Sequence, residues 1–424
     1  MSAINHIFVY VVRRPEDPFL GLKHLLLQQR YIRHNISEVR LPPASYETVH
    51  RVEYSWRKTV RFLYYTSVFR HLENLLCEAL NDCKSDNPCV IYFSDEGVWA
   101  EFFREFRGRR AQLPIIAVNV QHGFEHHVRI PDRNLRRVVN WLSMKWMGFP
   151  AFGMGCFGGV GSGAFEMYLT YDEATSDFIR DNTGDLAFEC PSVIKHALFE
   201  RFKVARQVLS LSCSGQEVMF ALQPTIATIF GRTNINGSTL DVFRELTSVA
   251  KLLAERHGRR MVFRAHPSMQ HDRVMEHYHH SGIERYADID GHSELGDQLA
   301  RCSVVMSYDS TVLWEAYILG LVPVSVQGNC YRGGLSFPHE VLDVTSSLEA
   351  QLDEVLRPET AKKYRREIVK ESFDWESIIW KFIKERPLLG QPHDSFKNRQ
   401  LRQLSPNTRS DKQLHLPSVS RGST

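Results

Sequence analysis

The stretch SYDSTVLWEAYILGLVPVSV, Ser307 to Val326, decides how the chain folds. An apolar run, SVVMS (Ser303 to Ser307), leads into it as a strand, and VPVSV (Val322 to Val326) leaves it as another. Between them lie a short polar loop, Tyr308-Asp309-Ser310-Thr311, and a helix over Val312 to Leu319 that Gly320 stops. Strand, loop, helix and strand in this order build a parallel sheet covered by helices. The loop also suits an anion. Hydroxyls beside the orphan N–H groups of a helix start favour a phosphate, as does the helix dipole. The plainer role for Ser310 or Thr311 is to cap the helix. Glu315, one turn in, is placed either to reach a ribose hydroxyl of a bound nucleotide or to answer the dipole as an early acid.

Working outward, the same alternation recurs on both sides. EVMFALQ (Glu217 to Gln223), a helix over Asp241 to Arg256 and RMVFRAH (Arg260 to His266) precede the stretch. Earlier still come IFVYVV (Ile7 to Val12), a helix within Tyr46 to Leu80, CVIYFS (Cys89 to Ser94) and IIAVNV (Ile115 to Val120). The pattern predicts an α/β chain of two Rossmann-like domains facing a cleft. A first domain with its linker covers 1–205 and a second covers 206–345, joined through the amphipathic segment Asn182 to Leu211. Helices over 346–386 pack back across the domains, with FDWESIIWKFI (Phe373 to Ile383) and its two tryptophans as the contact. The remainder, 387–424, is polar, rich in Ser, Pro, Gln and Arg and without periodicity, and is expected to be disordered.

Composition removes several classes. The 424 residues are 43% hydrophobic and 24% charged, enough for two domains with separate cores. Fifty-two basic residues against 49 acidic ones leave a net charge of +3, which gives no argument for a nucleic-acid partner. The eight cysteines form no CxxC pair, and MSAINHIFVYVV lacks a secretory pattern, so a reduced, cytoplasmic protein is expected. No apolar run approaches the roughly 20 residues that span a bilayer, so any membrane association is peripheral, at the inner face.

The candidate chemistry sits at strand ends. In VFRAHPSMQ, Pro267 stops the strand directly after His266 and fixes the imidazole at the carboxyl edge, where it can donate to a phosphate oxygen or protonate a leaving group. Arg264 in the same strand and Gln223 at the end of EVMFALQ join this set beside the candidate phosphate site. In YFSDEGVWAEFF, Asp95 and Glu96 precede Gly97 at a strand-to-helix turn; they serve as helix-start acids, or one deprotonates a sugar hydroxyl. In NVQHGFEHHV, a buried strand ends on Gln121-His122-Gly123 and presents an imidazole at a sheet rim. His122 and His126 are four apart, but Gly123 interrupts and no carboxylate partner accompanies them, so no metal is expected. GMGCFG (Gly153 to Gly158) matches GxGxxG, yet no strand leads into it and glycines continue where a helix should start; a glycine-rich loop is expected. HDRVMEHYHH (His271 to His280) reads as a solvated helix face.

Taken together, Asp95-Glu96-Gly97, His266-Pro267, Ser307 with Ser310, and the Gln121-His122-Gly123 strand end resemble the motifs of GT-B-fold glycosyltransferases of bacterial surface-polysaccharide synthesis, in particular the capsule-type and sialyltransferase or polysialyltransferase families. The resemblance runs from about Val90 to Val326 and rests on the order of the set, each motif being short. It implies an inverting, metal-independent transfer from a nucleotide-sugar donor to a glycan or lipid-linked glycan acceptor, with no cofactor beyond the nucleotide-sugar co-substrate. Asp95 or Glu96 would be the base on the acceptor hydroxyl, His266 would stabilise or protonate the departing phosphate, and the Ser307 to Ser310 loop would hold it. His122 is a rival base. The serine pair suits a CMP-activated acidic sugar; UDP-, GDP- or dTDP-sugars and CDP-glycerol stay open as donors. A sugar-nucleotide epimerase of the same fold and a non-catalytic GT-B-like binding protein are the other readings.

Overall fold

A computed structural model describes residues 4–10, 19–28, 34–41, 58–81, 88–94, 115–121, 165–170, 172–183, 186–209, 217–223, 237–267, 269–291, 293–331, 337–365 and 375–385, with Leu335 and isolated positions between 102 and 146. The described strands form two six-stranded sheets in which every pairing is parallel. The first contains β1 (Ile4–Tyr10), β2 (His34–Arg40), β3 (Cys89–Phe93), β4 (Ile115–Val120), β5 (Met167–Thr170) and β6 (Leu186–Glu189), in the order β2-β1-β3-β4-β5-β6. The second contains β7 (Glu217–Ala221), β8 (Met261–Arg264), β9 (Ala287–Ile289), β10 (Cys302–Ser307), β11 (Val322–Gln327) and β12 (Glu340–Asp343), in the order β12-β11-β10-β7-β8-β9. The α/β, two-domain Rossmann-like expectation is therefore met.

Parallel strands covered on both faces must be apolar on both, and they are. In β10, Val304 and Met306 face the cluster under helices Thr239–His257 and His271–Ser281, whereas Cys302 and Val305 face the cluster of helices His196–Leu209, Leu295–Arg301 and Thr311–Ile318. In the first sheet, Ile91 and Phe93 face helix Lys58–Asn81, while Val90 and Tyr92 face the opposite cluster. That opposite cluster holds Phe19, Leu22 and Leu26 together with Trp375, Ile379 and Phe382, so helix Trp375–Glu385, which follows the second sheet in the chain, covers the first. Trp314 from the Thr311–Ile318 helix reaches the same cluster.

Helix ends follow local chemistry. Ser238 and Asp241 form a capping box that starts helix Thr239–His257. Gly320, at φ +76°, takes the left-handed conformation just past helix Thr311–Ile318 and releases the chain into β11, as its position in the sequence predicts. Helix His271–Ser281 buries Val274 and Tyr278 and turns most of its other side chains outward, the solvated face expected of this His-rich run. No helix among the described residues is long and apolar enough to cross a membrane.

Candidate functional site

In the second sheet the chain runs outward from β7 through β8 to β9, then returns to the other side of β7 and builds β10, β11 and β12. The strand order reverses between β7 and β10, and open parallel sheets bind ligands in the crevice outside the carboxyl ends of the strands at such a point. Register shows which residues meet there. Ala221 pairs with Arg264 and Phe220 with Met306, so Gln223 stands centrally, with His266 on one flank and Asp309 on the other. Neighbouring strands lie about 4.8 Å apart, which separates the two flanks by roughly 10 Å.

Side-chain hydrogen bonds hold the loop after β10 in place. Ser307, fully buried, donates its hydroxyl to the Ala221 carbonyl at 2.7 Å. Ser325 Oγ donates to the Tyr308 carbonyl at 2.9 Å, and Asp309 N–H donates to Gln223 Oε1 at 3.3 Å. The Tyr308 hydroxyl donates to Glu245 Oε1 at 3.3 Å, and the other oxygen of Glu245 accepts the N–H groups of Asn329 and Cys330. Burial pushes the Tyr308 hydroxyl well above the ordinary phenol range, so it stays a neutral donor. Ser310 is the N-cap of helix Thr311–Ile318: its Oγ accepts the Val312 N–H at 3.3 Å, and it is 7% exposed. Thr311, the first helical residue, is half-buried.

The other residues expected on the donor side differ in their surroundings. His266 is half-buried beyond the end of β8, its carbonyl accepts the Met269 N–H at 2.9 Å, and Pro267 beside it is exposed. Arg264 directs Nη1 to the Ser293 carbonyl at 2.7 Å and to Gln298 Oε1 at 3.1 Å, tying β8 to helix Leu295–Arg301 and to the turn before it. Glu315 is buried, and its Oε1 lies 2.8 Å from Lys195 Nζ. Sequence reasoning missed Lys195, Glu245 and Ser325. Lys195 and Glu245 are joined to the site by contacts across 120 and 63 positions of chain, which no local spacing encodes.

In the first sheet, β3 lies between β1 and β4, with Phe93 opposite Asn119. The chain thus leaves at Ser94 toward Asp95 and Glu96, and at Gln121 toward His122 and Gly123, from adjacent strands about 5 Å apart. Gln121 is buried, with its N–H on the Leu169 carbonyl at 2.9 Å. Asp95, Glu96, His122 and Gly123 lie outside the described residues, as do the GMGCFG stretch and 387–424.

Two parallel Rossmann-like halves, the second with its strand-order reversal at β7 and β10, define a protein of GT-B fold. The sequence matches no protein-family profile and no curated protein. Among solved structures it resembles a UDP-GlcNAc 2-epimerase from Neisseria meningitidis bound to UDP-GlcNAc, with 11% identity, a TM-score of 0.53, and coverage of 91% of this chain and 100% of that one. A putative UDP-N-acetylglucosamine 2-epimerase from Listeria monocytogenes follows at 10% identity and TM-score 0.51, covering 86% and 91%. The wall teichoic acid polymerase TagF aligns at 11% identity and TM-score 0.45, covering 94% and 89%. At these identities the likeness to the two epimerases shows the fold alone.

Proposed function

We propose that the chain is an inverting, metal-independent glycosyltransferase that moves a sugar from a nucleotide-sugar donor, a CMP-activated acidic sugar, to a growing surface glycan such as capsule or lipopolysaccharide. The observation that carries this reading is the braced loop at the β7/β10 reversal, where Gln223, His266 and the Ser310-capped helix start share one sheet edge. A helix start and hydroxyls aimed at a fixed place stabilise a departing phosphate without reorganising during the reaction. Ser310 and Thr311 hold the phosphate, Glu315 takes the ribose, and Ser307 and Gln223 keep the loop in register. On the acceptor side Asp95, Glu96 or His122 removes the hydroxyl proton; the acceptor oxygen then bonds to the anomeric carbon as the bond to the nucleotide phosphate breaks. His266 stabilises the negative charge left on that phosphate, or returns a proton to it.

The test begins with melting temperatures in CMP, CDP, UDP, GDP, ADP and dTDP, since a ligand that binds only the native state raises them. A rise with CMP supports the donor, a rise with another nucleotide changes it, and none with any overturns the enzyme reading. With the donor known, His266→Ala is expected to lower transfer by about 10²- to 10⁴-fold at an unchanged melting temperature; an unaltered rate removes His266 from the mechanism. The likeness to UDP-GlcNAc 2-epimerases favours a second reading, epimerisation at the sugar C2 without an acceptor. Incubation with UDP-GlcNAc in D2O separates the two, because an epimerase alone places deuterium at C2.

A further inference from the structure

Glu315 and Lys195 form an ion pair that ties the linker to the nucleotide half. The Lys195 ammonium, 12% exposed, lies 2.8 Å from Oε1 of Glu315, whose side chain is 3% exposed. Lys195 occupies the turn between helices Pro191–Ile194 and His196–Leu209, in the segment that leads from β6 to β7. Glu315 stands on the helix that Ser310 caps at the β7/β10 reversal. Its second oxygen, Oε2, is buried and has no hydrogen-bond partner. Buried carboxylate oxygens are ordinarily satisfied, so an orphaned one on the helix that starts at the strand-order reversal calls for a donor from outside the chain.

We infer that, on the nucleotide-sugar reading above, Lys195 is a positioning residue for nucleotide recognition: by engaging Oε1 it turns Glu315 so that Oε2 accepts a ribose hydroxyl. The ammonium does two things at once. It supplies the opposite charge that a buried carboxylate requires, and it uses up one of the two oxygens, so that a single acceptor with one direction is left. An uncharged residue at 195 would leave the carboxylate without that orientation, and the sugar hydroxyl would lose its fixed partner.

The experiment is calorimetric titration of the full chain with CMP and UDP and with their 2′-deoxy and 3′-deoxy counterparts. The unaltered protein is expected to bind the ribonucleotide about 10- to 100-fold more tightly than one of the deoxy forms, the range of a hydrogen bond to a charged group. Lys195→Met is expected to bring that ratio close to one, while Lys195→Arg retains most of it. The double variant Lys195→Met/Glu315→Gln, which leaves no lone buried charge, is expected to fold and to lose the ratio as well. A pair that is only a structural staple would give Lys195→Met a lower melting temperature with the ratio intact, and that result overturns the inference. Nucleotide binding with no ribose preference in the unaltered protein overturns it too. Binding of neither CMP nor UDP removes the CMP- and UDP-sugar readings beneath it and takes the inference with them.

Discussion

The two sheets are built alike and place their buried polar groups differently. In the second sheet those groups stand at strand ends and bond to backbone: Ser307 to the Ala221 carbonyl, Ser325 to the Tyr308 carbonyl, Gln223 to the Asp309 N–H. In the first, beside strand-end groups such as Thr170 that also bond to backbone, one set lies within a face and its members bond to one another. Trp375 Nε1 donates to the Tyr92 hydroxyl at 2.6 Å, that hydroxyl lies 2.9 Å from His6 Nδ1, and His6 Nε2 lies 3.0 Å from His34 Nδ1. Burial without a partner is costly for every one of these atoms, so each set marks a place where something particular is being held. In the second half it is the loop after β10, at the strand-order reversal. In the first it is a helix nearly 300 positions away, fastened to the sheet.

The largest effect expected from breaking this contrast comes at Trp375, the largest fully buried side chain of the molecule's described residues. Trp375→Ala empties a cluster shared with Ile379, Phe382 and the first sheet and deprives Tyr92 of its donor. A loss of about 3–5 kcal/mol is expected, read from urea denaturation. Trp375→Phe, which keeps most of the apolar surface and loses only the N–H, is expected to cost about 1–2 kcal/mol. A Trp375→Ala protein as stable as the parent would mean that the C-terminal helix covers the first sheet without holding it.

A smaller effect follows from pH. Burial holds His6 down to about 3, with the neighbouring His34 adding to the depression, and burial also lowers His34. In the unfolded chain both return to about 6.5. Between those limits the unfolded state binds more protons than the folded one, so stability falls as pH falls; above about 6.5 both states are neutral and the contribution is flat. The slope expected from His6 alone approaches about 1.4 kcal/mol per pH unit well inside that window. Urea midpoints at pH 7, 6 and 5, before most carboxylates titrate, measure it, and His6→Gln should flatten the line. An equal slope in that variant would place the acid sensitivity elsewhere. The second half has no buried histidine among its described residues, which makes this a test of the contrast between halves.

What the sequence reveals of this fold follows burial. The central strands β3, β4, β7, β8, β10 and β11 read directly as apolar runs because both of their faces are covered. The four edge strands escaped: HNISEVR of β2, LAFE of β6, ADI of β9 and EVLD of β12 are short or polar, and each pairs on one side only. MYLT of β5 is internal yet four residues long, too short for a period to show. Strand-end residues such as His266, Ser307 and Ser310 were legible because a proline or a polar loop ends the apolar run beside them. Their supports were not. Glu245 looks like any polar residue of an amphipathic helix, and Lys195 like any lysine of a linker. Only the fold brings Glu245 to the loop and Lys195 to the helix that follows it.

The smallest effect, and the one that sharpens the comparison most, is at Ser310. Its hydroxyl accepts the Val312 N–H and so caps the helix; the same hydroxyl is the one proposed above to meet a phosphate. The cap alone is worth about 1 kcal/mol, so Ser310→Ala should lower stability by that amount in urea. The two roles separate under substitution. Ser310→Asp restores a strong cap and places a negative charge where a phosphate would sit, so a pure cap predicts recovered stability and unchanged nucleotide affinity. A phosphate-facing hydroxyl predicts recovered stability with affinity lost by about 10-fold or more, the cost of a close like charge. Stability and affinity moving apart in that one variant would show that the strand-end polar groups of the second half act on a ligand, which no substitution in the buried network around His6 should imitate.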